Sequence, residues 1–142
     1  MKQEVLHTIV YLCGLGHIAL SAGSLAIPKL LQWSTHLKNI PLLLRQMFWT
    51  YAGYILVINF SFGVISIIGT DELLDHSFLA KYITLFIGLY WLARVIIQFF
   101  YFDRTNAPKG LLYTLGEAAL VLLFILFTIV YLTAFLYNIA WI

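Results

Sequence analysis

"ALVLLFILFTIVYLTAFLY", residues 119–137, carries no charged side chain, and after Glu117 no Asp, Glu, Lys or Arg follows before the last residue, Ile142. A bilayer core about 30 Å thick is crossed by roughly 20 consecutive apolar residues in a helix. The run is long enough to span one, and its bulky side chains suit a face toward lipid or a partner. Working outward, three more stretches meet the same criterion, and the four predicted spans are 4–27, 42–68, 78–102 and 109–138.

The whole chain agrees with that solvent. Of its 142 residues 63% are hydrophobic and 10% charged, with a mean hydropathy of +0.96, whereas soluble domains carry about 25% charged residues. The expected fold is all-α: an integral membrane four-helix bundle forming one transmembrane domain over residues 1–142. A net charge of +2 without a Lys/Arg-rich run is too small to suggest nucleic acid as a partner, and none is expected. Cys13 is the only cysteine, which excludes an intrachain disulfide, a CxxC redox motif and a Cys-rich metal site.

Proline falls only at the punctuation: Pro28, Pro41 and Pro108 stand where one span ends or the next begins. Ser77 or Asp75 is placed to cap the third span, Asn106 the fourth, and Gly69 to close the second. Between the first two spans, "PKLLQWSTHLKNIP" puts Leu30, Trp33, Leu37 and Ile40 three or four residues apart. That spacing predicts a short amphipathic interfacial helix.

Charge orients the bundle. Arg94 aside, the first and third connections hold Lys29, Lys38, Arg45, Arg104 and Lys109, while the N-terminus and second connection hold Lys2 and Lys81 among Glu4, Asp71, Glu72 and Asp75. The positive-inside rule predicts a cell (inner) membrane protein with the first set in the cytoplasm and both termini outside. The first span lacks the basic leader and cleavage site of a secretory signal and reads as a retained helix. Trp33, Trp49 and Trp141 fit interfacial anchors.

In the first span, "CGLGHIALSAGSLA" is rich in small residues, which let backbones approach closely in lipid, and Gly53 and Gly63 can do the same on the second.

The candidate site rests on depth. Arg94 lies eight residues before Phe102, and Glu117 eight after Lys109. Both therefore sit about 12 Å in from one membrane face at 1.5 Å per residue. Intramembrane charges face the bundle interior and find partners, so an Arg94–Glu117 ion pair is expected. Helical spacing adds Tyr90, Trp91 and Gln98 on the third span and Tyr113 on the fourth, while Tyr51, Tyr54 and Asn59 on the second, with Ser21 and Ser24, are near in depth. Together they predict an aromatic pocket with a charged floor, suited to an amphipathic ligand such as a quinone, isoprenoid or lipid headgroup. A purely structural ion pair is the other reading of the same residues.

Histidine supplies no metal site, because His7 and His17 are off a common face and far apart in height, and His36 and His76 lie on opposite sides. Without a second histidine at the depth of His17, bis-His haem ligation is disfavoured, and His17 is expected to pack near the small residues of its helix. HExxH, Walker A, GxGxxG and GxSxG sequences are absent. Glu117 could transfer protons, with burial raising its pKa and Arg94 lowering it.

In size and helix count the chain resembles small bacterial four-helix membrane proteins, the DoxX-like group among them; the resemblance is one of architecture and implies no activity or site residue. Three function classes follow. The leading one is a non-enzymatic subunit or lipid-binding module. The others are a membrane oxidoreductase or lipid-modifying enzyme using Glu117, Arg94 and a tyrosine, and a transporter or channel built as a homo-oligomer or within a larger membrane complex.

Overall fold

A computed structural model describes residues 2–103, 105 and 109–142, and among these every regular element is helical. Four long helices, α1 (Lys2–Ser24), α4 (Leu42–Ile68), α5 (Phe78–Phe100) and α6 (Leu111–Asn138), are each long and apolar enough to cross a membrane. The predicted spans thus hold, with α1 ending three residues earlier and α5 two residues earlier than hydropathy alone suggested. Ser77 caps α5 by accepting from the Ala80 N–H at 3.1 Å, and Gly69 closes α4 through its own N–H to Ile65. Helix α6 starts directly behind Gly110, whose φ of 137° suits glycine alone. The expected cap Asn106, with Arg104 and Pro108, lies outside the described residues.

The amphipathic helix expected between the first two spans is instead two single turns, α2 (Ile27–Leu30) and α3 (Trp33–His36), separated by Gln32 in the left-handed region at φ 52°. A left-handed residue breaks the helical ladder, and the break turns Trp33 onto α4. There its ring meets Phe48 at 4.8 Å and Trp49 at 5.5 Å.

The bundle is built as two hairpins. Helices α1 and α4 pack antiparallel, and so do α5 and α6. The first hairpin depends on glycine: a Cβ on Gly14 would lie 2.8 Å from Ile67 and 3.1 Å from the Gly63 carbonyl, and one on Gly63 would lie 3.0 Å from both the Gly14 carbonyl and His17. Those distances are below normal contact, so only hydrogen fits and the backbones come together. In the second hairpin Gly88 receives Leu132 in the same way, at 2.6 Å from a would-be Cβ. Gly53, expected to serve like Gly63, has nothing within 4 Å of the position its Cβ would take.

The hairpins join where α1 lies on α6, around a core of Phe62, Trp91, Phe124, Phe127 and Tyr131. Both termini sit at one end, closed by the 3₁₀ turn Glu72–Leu74, whose Leu73 and Leu74 are buried under the bundle. The opposite end is different. Among the described residues, none of 42–58, 92–103 or 111–123 is buried. Helices α4, α5 and α6 are therefore packed over the half nearest the termini and open over the other, while α1 is buried as far as Ser21.

Candidate functional site

Polar side chains line the interior in layers, and each is satisfied: among the described residues no buried side-chain nitrogen or oxygen lacks a partner. Nearest the termini, Ser66 and Tyr131 share a 2.5 Å hydrogen bond between hairpins. Asn138, 1% exposed, donates to the Leu73 carbonyl at 2.7 Å and accepts from the His76 N–H at 3.1 Å, fastening the 3₁₀ connection to α6.

The middle layer centres on His17, which is fully buried. Its ring stacks on Phe127 at 3.9 Å with 12° between planes, and Nε2 accepts the indole N–H of Trp91 at 2.9 Å. An indole only donates, so Nε2 carries no proton and the proton sits on Nδ1, which donates to the Cys13 carbonyl at 2.7 Å. His17 thus joins three helices, beyond the packing against its own helix's small residues that was expected. One step further from the termini, Tyr90 donates to Asn59 Oδ1 at 3.0 Å, tying α5 to α4.

The last layer stands where the packed half gives way to the open half. Arg94 Nη1 donates to Gln98 Oε1 at 3.0 Å, and Gln98 Nε2 donates to Glu117 Oε1 at 3.0 Å. The two charges expected to pair are connected through Gln98, one amide spending both its acceptor and its donor on the link. The guanidinium lies 4.9 Å from the rings of both Phe102 and Phe124, close enough for cation–π attraction.

The expected site residues therefore divide. Arg94, Gln98 and Glu117 form one connected set, with Tyr113 a turn before Glu117 on α6 and exposed. Tyr90 and Asn59 bind each other, and Trp91, 2% exposed, is committed to His17. Tyr51 and Tyr54, expected to line the same interior, are 56% and 64% exposed, on the half of α4 where no side chain is buried. Ser21 and Ser24 each donate to a carbonyl of α1 itself. Two open apolar grooves lie elsewhere, one between α1 and α6 beside Lys2 and Tyr137, the other between α1 and α4 beside Ser21 and Phe60.

Among the described residues no group of three His, Cys, Asp or Glu is placed to hold a metal. His7 Nε2 and Asp71 are 3.0 Å apart at the terminal end. Just beyond, the Ser77 hydroxyl and then its backbone N–H hold the Asp75 carboxylate below its ordinary pKa.

Sequence reasoning missed Asn138, Gly88 and the Ser66–Tyr131 bond. Gly88 had a signal, as the only glycine among bulky neighbours in "LFIGLYW", residues 85–91. Asn138 had a weaker one, as the polar residue that ends the longest apolar run.

Fold and site together define a multi-pass helical membrane protein with a satisfied polar interior and one half-buried charged cluster. Comparison with protein-family models, with curated proteins and with solved structures found no match.

Proposed function

We propose that this protein is a non-enzymatic membrane module, acting alone or as a subunit of a larger assembly, that holds a lipid-like molecule, a lipid, quinone or isoprenoid, against the Arg94–Gln98–Glu117 cluster. The observation that carries this reading is the position of the cluster. A charged pair meant only to fix packing belongs where helices are packed, as His17–Trp91 and Ser66–Tyr131 are. Arg94, Gln98 and Glu117 are half-buried, with no buried residue beyond them on α5 or before them on α6. An amphiphile there would set its polar end on Arg94 and its hydrocarbon along the lipid-facing helix surfaces toward the bilayer centre.

The non-enzymatic reading is supported by how the reactive side chains are spent. His17 uses both ring nitrogens on protein partners, Tyr131 uses its hydroxyl on Ser66, and Cys13 is buried. The excess of Lys and Arg beside the open half supports a cytoplasmic position for it and an external one for both termini. The unpacked faces around Gly53 and Gly116 suit a second copy or another membrane subunit.

Native mass spectrometry of detergent-purified protein, followed by organic extraction, tests the reading. One amphiphile per chain is expected; a chain free of any retained lipid, quinone or isoprenoid would refute it.

A further inference from the structure

The amphiphile reading leaves the chemistry of the polar end open, and the surroundings of Arg94 narrow it. Among the described residues Arg94 makes one hydrogen bond, to Gln98. A guanidinium carries five N–H donors. Since among the described residues no buried side-chain nitrogen goes without a partner, Nε and Nη2 reach the accessible side. Gln98 gives Arg94 one acceptor, its Oε1, while its Nε2 is turned to Glu117. The guanidinium is thus held in orientation by one contact and two aromatic rings, with the rest of its fork open. That geometry suits a bidentate oxyanion.

Depth points the same way. The side chain of Arg94 runs toward the end of α5, meeting Gln98 one turn on and the Phe102 ring two turns on. Helix α6 has 28 residues and is about 42 Å long; set upright and centred on a hydrocarbon core of about 30 Å, it extends about 6 Å beyond the core at each end. Glu117, six residues past Leu111, then lies about 3 Å inside the boundary. The same count along α5, a helix of 23 residues, puts Arg94, six residues before Phe100, about 7 Å inside; both depths are shallower than counting from Phe102 and Lys109 predicts, and a long basic side chain reaches the headgroups from there by snorkelling. In sequence, the same end holds Lys29, Lys38, Arg45, Arg104 and Lys109 against two acids, Asp103 and Glu117.

Resting on the amphiphile reading, we infer that the ligand is an anionic phospholipid of the surrounding leaflet, its phosphate held by the open N–H groups of Arg94 and its acyl chains running from there toward the bilayer centre along the lipid-facing sides of α5 and α6. The basic field draws the headgroup in, and because the phosphate of a zwitterionic neighbour is already neutralised by its own ammonium group, the charge of Arg94 favours the anionic headgroup.

Native mass spectrometry from mixed micelles tests this with three probes: phosphatidylglycerol and phosphatidylcholine of matched acyl chains, and ubiquinone. The unaltered chain should retain phosphatidylglycerol with a preference of about tenfold or more over phosphatidylcholine. Arg94→Gln should abolish the preference, and Lys81→Gln, at the other end, should leave it intact. Arg94→Lys, which keeps the charge without the fork, should retain only part of it. Equal retention of the two phospholipids, or a preference that survives Arg94→Gln, overturns the inference. Ubiquinone bound without headgroup preference overturns it while leaving the amphiphile reading standing; retention of none of the three sinks both. If Arg94→Gln fails to fold, the headgroup comparison on the unaltered chain still decides.

Discussion

Trp91 on α5 gives its indole N–H to Nε2 of His17 on α1, 2.9 Å away, in a fully buried setting. The bond crosses between the two hairpins and fixes which nitrogen of the imidazole is protonated. Trp91→Phe keeps most of the ring volume and removes the donor, leaving Nε2 buried without a partner. Thermal unfolding in detergent should show a loss of about 1–3 kcal/mol; unchanged stability would mean the bond contributes nothing. With both nitrogens engaged, His17 should also leave the purified protein without a Soret band.

Gly63 and Gly53 lie on one helix in opposite circumstances. Gly63→Ala must push α1 and α4 apart, because its Cβ would meet the Gly14 carbonyl and His17 at 3.0 Å, and it should destabilise the hairpin by about 1–3 kcal/mol. Gly53→Ala meets nothing within 4 Å and should be neutral or gain up to about 1 kcal/mol from helix propensity. Equal effects of the two substitutions, measured by unfolding in detergent, would contradict the close approach.

Asn138 is the clasp of the terminal end, binding the Leu73 carbonyl and the His76 N–H at once. Asn138→Leu should cost about 1–3 kcal/mol and release residues 72–76. Hydrogen exchange of those amides is the direct readout, and protection equal to that of the unaltered chain would show that Leu73 and Leu74 hold the connection without it.

These cases show what hydropathy and spacing make readable. Span number, the Ser77 cap and the shared level of Arg94, Gln98 and Glu117 follow from local rules, because a 3.6-residue period and a fixed rise per residue place side chains by height and face. Partner choice does not follow, since it depends on how hairpins are rotated against each other. The spacing thus places Trp91 on the interior face of its helix but does not name His17 as its partner. Tyr51 and Tyr54 illustrate a further point: depth puts them level with the cluster, but no side chain on that half of α4 is buried, and burial is a property of the assembled bundle.

Orientation rests on the excess of Lys and Arg at the open end. Single cysteines at Glu72 and at His36, both exposed, in a Cys13→Ser background, should separate the two faces. An impermeant thiol reagent added to intact cells should label the first and spare the second. The reverse pattern would invert the bundle.

Gln98 offers a test of the cluster's wiring. Arg94 and Glu117 are linked through its amide, so Arg94→Leu and Glu117→Leu should show coupled stability losses in the natural background. In a Gln98→Leu background the same two changes should become nearly additive. Coupling that persists without Gln98 would mean the charges interact by another route.

The amphiphile account is tested most directly by ligand retention in the Arg94→Leu/Glu117→Leu double variant. Removing both charges avoids the cost of one buried charge left alone, so the variant should fold and unfold cooperatively in detergent. If the cluster holds a ligand's polar end, the folded double variant emerges from purification without the lipid that the unaltered chain carries. A folded double variant that retains that lipid at full stoichiometry would contradict the account and reduce Arg94, Gln98 and Glu117 to a packing device.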